Sequence, residues 1–403
     1  MHQRRHILFA NVQGHGHVYP SLGLVSELVR RGHRISYVTT PLFADVVTAA
    51  GATVVPYKSE FDTFHVPDVI TKADAETQLH LVYVRENEAI LRAAEDGLAD
   101  DIPDLVVYDV FPFIAGRLLA TRWRRPAVRL SAGFTANEHY SFFEELWKSH
   151  GQRHPADVPE VNDVIVDLLA RYGLRTPVRQ FWNEIEDLNI TFLPKSFQPF
   201  SETFDDDRFA FVGPTLTDRP VRTGWQPPTP DTPVILVSLG NQFNEHPEFF
   251  RTCAEAFAGT RWQTVLAIGT FLDPTVLEPL PPNAEAHPWI PFHEVLPHAE
   301  ACVTHGTTGA VLESLAAGVP LVLVPHFATE AAPSARRVVE LGLGYELTPE
   351  QVEPATIRAT VQRLHDDPAL GERVDRMRHE ILTAGGPPAA ADRIERYLDQ
   401  PRG

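Results

Sequence analysis

The chain has 403 residues, too many for one hydrophobic core, so two domains are expected. Its 53 acidic residues against 35 basic ones give a formal net charge of −18. A surface that acidic repels nucleic acid and anionic membranes, and neither is expected as a partner. There is no long apolar run of membrane-spanning length, and Met1-His2-Gln3-Arg4-Arg5 lacks the apolar core of a signal peptide, so a soluble cytoplasmic protein is expected. Cys253 and Cys302 lie far apart in apolar contexts and read as buried thiols.

A first strand is expected over 6–11, a turn over 12–20, and a helix over about 20–31 with Leu22, Val25 and Val29 on one face. Strands follow at 34–39 and 52–56, a helix at 82–98, a strand at 105–108, a helix at 113–121 and a strand at 127–130. This alternation implies an α/β fold with a parallel, doubly wound sheet. Such sheets often place the first strand beside the one opening the second half and bind ligands at their carboxyl ends. His15 after the first strand and Asp109 after the strand at 105–108 could then meet as a general base and its orienting carboxylate. Two other readings stand beside this one: both residues serve as helix caps, or His15 and His17 bind a metal, although no third ligand is evident nearby.

Between 133 and 200 the alternation is less regular and aromatics are frequent, among them Phe134, Tyr140, Phe142, Phe143, Trp147, Phe181 and Trp182. They read either as helix-packing core or as the lining of an apolar pocket, together with Phe61 and Phe64 from an earlier loop. Strands at 190–193 and 209–212 close the first domain, 1–213. Residues 214–233 are rich in Pro and Gly and read as a linker. The β-α grammar restarts in a second domain, 234–385, and an amphipathic C-terminal helix lies within 386–403, free to pack on either domain.

In the second domain the stretch Val303-Thr304-His305-Gly306-Thr307-Thr308-Gly309-Ala310-Val311-Leu312-Glu313 joins a buried strand to a helix through small residues. A helix opening this way leaves its first amides free for an anion such as a phosphate, or it is an ordinary tight turn. Loops at Gly240 and Trp289 should open on the same edge, with Trp289 either a nucleobase platform or an edge-of-core aromatic.

Taken in order, Gly14-His15-Gly16-His17-Val18, Pro103-Asp104-Leu105-Val106-Val107-Tyr108-Asp109, Val237-Ser238-Leu239-Gly240, Trp289-Ile290-Pro291 and His305 through Glu313 resemble the inverting glycosyltransferases that decorate natural products with nucleotide-activated deoxysugars. The resemblance spans essentially the whole chain. The runs 9–20 and 240–246 look, more narrowly, like the enediyne (calicheamicin-type) transferases that attach an aminopentose. The resemblance implies the GT-B fold, two Rossmann-like domains facing a cleft. It implies an inverting reaction with no cofactor and no metal, a TDP-sugar donor as co-substrate, an apolar small-molecule acceptor, and a monomer or weak homodimer. His15 would be the base and Asp109 its orienter. Ser238, His305 and the amides around Thr307, Thr308 and Gly309 would hold the diphosphate, Trp289 and the Ile290 backbone the base, and Glu313 the ribose, with Gly240 and Gly306 also in the nucleotide-sugar site. Phe61, Phe64, Phe111, Phe134, Tyr140 and Trp147 are candidate acceptor contacts. Two departures stand out: Thr329-Glu330 replaces the usual Asp-Gln, which suits a sugar carrying an amine, and Phe292 stands where relatives often have Gln. A nucleotide-sugar epimerase and a non-catalytic ligand binder are the rival readings.

Overall fold

The computed structural model describes residues 3–64, 74–149, 151–216, 223–240, 244–327 and 331–400. The chain divides into two compact units, one comprising Met1–Thr215 with Ala384–Gly403, the other Leu216–Thr383.

The first unit holds β1 (His6–Ala10), β2 (Arg34–Thr39), β3 (Thr53–Pro56), β4 (Leu105–Asp109), β5 (Ala127–Ser131), β6 (Asn189–Thr191) and β7 (Phe209–Phe211). Every pairing is parallel, in the order β3-β2-β1-β4-β5-β6-β7. β1, His-Ile-Leu-Phe-Ala, is buried along its whole length, because helices cover both faces of a parallel sheet and leave neither for water. Leu8, Ala10, Val106 and Tyr108 face one core with Ile90 and Leu118 from the helices Ala75–Gly97 and Phe113–Trp123. Ile7, Phe9, Leu105 and Val107 face the other core with Leu24 and Leu28 from the helix His15–Arg30.

The last helix, Gly386–Asp399, completes that second face with Ala390, Ala391 and Ile394. It is fastened at its start by Gly386 N donating to Val212 O at 2.8 Å. Along its length the buried Glu395 carboxylate accepts from Arg31 at 2.6 Å and pairs with His33 at 3.0 Å.

The second unit carries β8 (Val234–Ser238), β9 (Gln263–Ala267), β10 (Ala284–His287), β11 (Ala299–Thr304), β12 (Leu321–Leu323) and β13 (Gly344–Glu346). Its order is β10-β9-β8-β11-β12-β13, again all parallel. In both sheets, then, the strand order reverses beside the opening strand: β1 lies between β2 and β4, and β8 between β9 and β11.

Two local expectations need revision. The helix assigned to about 20–31 begins at His15, because Gly14 O accepts from both His17 N at 3.0 Å and Val18 N at 2.9 Å and so nucleates the first turn early. Pro20 sits inside this helix rather than at its start. The stretch read as linker is also not free throughout, since the backbone amides of Thr223 and Trp225 donate to the Glu294 carboxylate at 3.0 and 3.1 Å.

Because Ile394 is fully buried in the face shared by the first and last helices, Ile394→Ala leaves a cavity there. Chemical denaturation should show a loss of about 2–4 kcal/mol.

Candidate active site

In the first unit the site grows from the switch point. β1 and β4 are hydrogen-bonded neighbours with Ala10 opposite Tyr108, so the turn after Ala10 and the residue after Tyr108 emerge side by side. Asp109 ends β4 and is 2 % exposed. One of its carboxylate oxygens accepts from Phe111 N at 3.1 Å. The imidazole it meets is that of His17, whose Nδ1 lies 3.1 and 3.2 Å from the two carboxylate oxygens. His15, the expected partner, is exposed, stacks on Tyr19 at 5.7 Å and meets Phe43 edge-on at 5.1 Å.

Helix geometry explains the exchange. Because the helix starts at His15, the two histidines are separated by about 200° around its axis and cannot share a partner. The metal alternative separates for the same reason, and no group of three potential metal-ligating His, Cys, Asp or Glu side chains occurs among the described residues.

His17 is held from below as well as from the side. Asn11 Nδ2 donates to His17 O at 2.9 Å and to Tyr37 Oη at 3.0 Å. Ser21 Oγ reaches Tyr37 Oη at 2.8 Å and donates to Val18 O at 2.7 Å. These buried groups have partners on several sides, so the first helical turn is fixed by hydrogen bonds rather than by packing alone. Burial disfavours the His17 imidazolium, but the charge and hydrogen bond of Asp109 outweigh it and raise the pKa above the ordinary histidine value. With Nδ1–H directed at Asp109, Nε2 is the nitrogen left to take a proton.

A series of aromatic contacts leads away from His17. Phe111 meets its ring edge-on at 4.6 Å, Tyr83 stacks on Phe111 at 5.5 Å, and Phe61 meets Tyr83 at 5.3 Å with Phe64 beyond it at 6.2 Å. On the other side Phe111 touches Phe143 at 5.4 Å, and Phe143 stacks on Trp147 at 6.0 Å. Phe134 and Tyr140 are buried against Phe197 and Phe200 and join this series through Phe142. The expected aromatics thus divide: Phe61, Phe64, Phe111 and Trp147 belong to the series leading to His17, while Phe134 and Tyr140 pack mainly as core. Phe143, one of the aromatics that read as either core or pocket lining, joins the series; Tyr83 is the member that sequence reading left unassigned, and it could have been found from its place on the inner side of a long helix.

In the second unit the equivalent edge lies between β8 and β11, where Ser238 and Thr304 are register partners. Gly240 has φ +73°, and a Cβ there would come within 2.8 Å of His305 Cε1, so only glycine lets this loop lie against the imidazole. Ser238 Oγ accepts from Gly240 N at 3.1 Å, and Gly240 O accepts from Asn244 Nδ2 at 3.0 Å. His305 is 2 % exposed; burial lowers its pKa to about 4 against a weaker upward effect from the Ser238 backbone, so it is neutral near pH 7.

Gly306 (φ +95°) turns the chain into the helix Thr308–Ala317, whose N-cap, Thr307, makes no side-chain capping bond. The amides of Thr308 and Gly309 therefore open the helix without intrahelical acceptors. Thr308 Oγ1 is tied to Ser334 Oγ at 2.8 Å, and Glu313 is half-buried in the second turn. Trp289, after β10, is 43 % exposed, whereas Ile290 is buried. Phe292, half-buried, opens the short helix Phe292–Val295. Thr329 and Glu330 lie outside the described residues.

Residues 265–396 match the family described as erythromycin biosynthesis protein CIII-like, C-terminal domain. The chain is 38 % identical to the NDP-glycosyltransferase YjiC of Bacillus licheniformis over 98 % of both chains. It is 35 % identical to the demethyllactenocin mycarosyltransferase of Streptomyces fradiae, over 98 % of this chain and 86 % of that one. Among solved structures it superposes on CalG4, the calicheamicin glycosyltransferase, with a TM-score of 0.94 and 74 % identity over the full length of both.

An enzyme of sugar transfer is thereby defined, with two parallel-sheet units each carrying polar residues at its switch point. More narrowly, the chain belongs to the GT-B natural-product glycosyltransferases, and the epimerase and passive-binder readings fall.

Neutral His305 makes a prediction about stability. Between pH 6.5 and about 4 the unfolded chain takes up this proton while the folded chain does not, so stability falls as pH is lowered through that window. The contribution is about 3 kcal/mol. Denaturation at pH 7 and pH 4.5 should show His305→Asn losing less stability than the parent over the same interval.

Proposed function

We propose that the protein is an inverting, metal-independent transferase that moves an aminodeoxysugar, an aminopentose, from a TDP-sugar to a hydroxyl of an apolar natural product of enediyne or polyketide type. The observation that carries this reading is the His17–Asp109 pair at the switch point of the first sheet. His17 Nε2 takes the proton of the acceptor hydroxyl, and Asp109 holds the ring and stabilises the cation that results. The alkoxide oxygen attacks the anomeric carbon from the face opposite the leaving nucleotide. A C–O bond forms as the bond to the diphosphate breaks, and configuration inverts.

The departing diphosphate gathers negative charge. Ser238, neutral His305 and the amides at the start of the Thr308–Ala317 helix offer donors and the positive end of a helix dipole at that charge. That is the work a divalent cation does in other phosphate chemistry, which is why no metal is proposed. Trp289 offers an exposed face to the base and Glu313 a carboxylate to the ribose. The aromatic series from Phe61 to Trp147 beside His17 suits an apolar acceptor. The enediyne assignment is supported by the 74 % identity to the calicheamicin glycosyltransferase CalG4, and the amine on the sugar by Glu330 in place of the family's usual Gln.

Transfer should be assayed with TDP-sugars and a hydroxylated aromatic acceptor in the presence of EDTA. His17→Ala should lower kcat by about 10²–10⁴-fold, and His15→Ala should lower it far less. Activity should rise with pH through an apparent pKa above the ordinary histidine value, and Asp109→Asn should move that pKa down. A His17→Ala enzyme of undiminished kcat would sink the proposed base. For the donor, Thr329→Asp with Glu330→Gln should change the ranking of amino against neutral sugars; an unchanged ranking removes Glu330 from sugar selection.

A further inference from the structure

The catalytic edge of the first sheet is its carboxyl edge. At the opposite, amino edge, where Ala127 opens β5, Leu188 precedes β6 and Arg208 precedes β7, lies a depression of about 1120 Å³. Its wall carries six arginines and four carboxylates, a local excess of positive charge in a chain whose formal charge is −18.

Two of those arginines have structural employment. Arg117 is buried and binds Glu186 at 2.8 Å together with the carbonyls of Phe181 and Glu184. Arg208 reaches Ile185 O at 3.2 Å and Glu138 at 3.5 Å. The other four, Arg124, Arg125, Arg393 and Arg396, form no ion pair among the described residues.

Helix ends account for part of this cluster. The helices Phe113–Trp123 and Gly386–Asp399 both finish here, and a cation near a helix C-terminus offsets its negative end. One arginine at each end, Arg124 and Arg396, meets that need; Arg125 and Arg393 are additional. Arg393 is half-buried and donates to Asp207 O at 2.6 Å; burial and then the neighbouring Arg396 cation pull its pKa below the ordinary arginine value, against a weaker upward effect of the Asp207, Asp206 and Asp205 carboxylates. Arg124 is the left-handed C-cap (φ 53°) of the helix Phe113–Trp123: its amide donates to Thr121 O at 3.2 Å and that of Arg125 to Ala120 O at 2.9 Å, which turns both side chains toward the depression's rim.

We propose that this depression is a second anion site, separate from the donor site, and that it binds a multivalent phosphate such as the di- or triphosphate of a nucleotide or free pyrophosphate. Forked guanidinium groups suit such an anion because each can present two parallel N–H donors to neighbouring phosphate oxygens.

The test is calorimetric titration with inorganic pyrophosphate at low salt. The proteins are the parent, the Arg124→Asn/Arg396→Gln double variant and the His305→Ala variant. Asn tolerates the left-handed conformation and both replaced arginines are exposed, so the double variant should lose only the small helix-end contribution, unfold within a few degrees of the parent and keep its transfer activity. It should lose pyrophosphate affinity at this site by at least about tenfold, while His305→Ala retains that binding step. Pyrophosphate isotherms identical for parent and double variant would overturn the proposal. Because the proposed catalytic reading is tested by His17 and His305 and this one by Arg124 and Arg396, the two can fail independently. Repeating the titration of His305→Ala with thymidine triphosphate separates the sources: tighter binding than pyrophosphate identifies a nucleotide, and equal affinity identifies the bare phosphate.

Discussion

Burial of both faces of a parallel sheet is the constraint from which the rest follows. Strands such as His6–Ala10 and Val234–Ser238 have no water-facing side, so their interiors are almost wholly apolar and their chemistry is displaced to the ends. At the carboxyl end the chain leaves β1 in one direction and β4 in the other, which leaves room between the departing loops for polar groups. Asp109 and His17 occupy that room in one sheet, and Ser238 and His305 occupy it in the other. The same geometric opening is filled with a hydrogen-bonded imidazole–carboxylate pair in the first unit and with a neutral, buried imidazole in the second.

Much of this architecture could be read from the sequence, because periodicity and strand composition report burial directly. β2, β8, β9 and β10 fall where the apolar runs placed them. The meeting of a histidine with Asp109 was legible as topology, since β1 and β4 had to be neighbours in a doubly wound sheet. Which histidine was not legible, because it depends on where one helix starts. Pro20 looks like a first-turn residue, and that placed His15 and His17 in a flexible turn. The helix instead begins as soon as Gly14 O finds its two amides, and Pro20 is tolerated within it. A displacement of five residues in one helix boundary transferred the expected partnership from one histidine to the other.

Long-range polar networks were illegible for a different reason. Asn11, Tyr37 and Ser21 come from a strand end, a neighbouring strand and a helix, and nothing in their own surroundings marks them as a group. The helix Pro159–Arg171 is hard to read from the sequence although Val161, Ile165, Leu168 and Leu169 fall at helical spacing, because the aromatics on either side blur the period. Aromatic rings in this region pack with one another at helix junctions, and their spacing reports those junctions rather than a single regular element.

The return of the last helix to the first unit has a consequence for how such chains can be recombined. The polypeptide leaves that unit near Val212 and re-enters it at Gly386, and the two points are joined by one hydrogen bond of 2.8 Å. In covalent terms the second unit is an insert whose two ends sit at adjacent points of its host. An insert of this kind can be exchanged like a cassette: a second unit from a relative can be spliced between the same two points without re-threading the host's sheet. The two units can then be inherited separately, which gives a lineage of such glycosyltransferases a combinatorial route to new pairings.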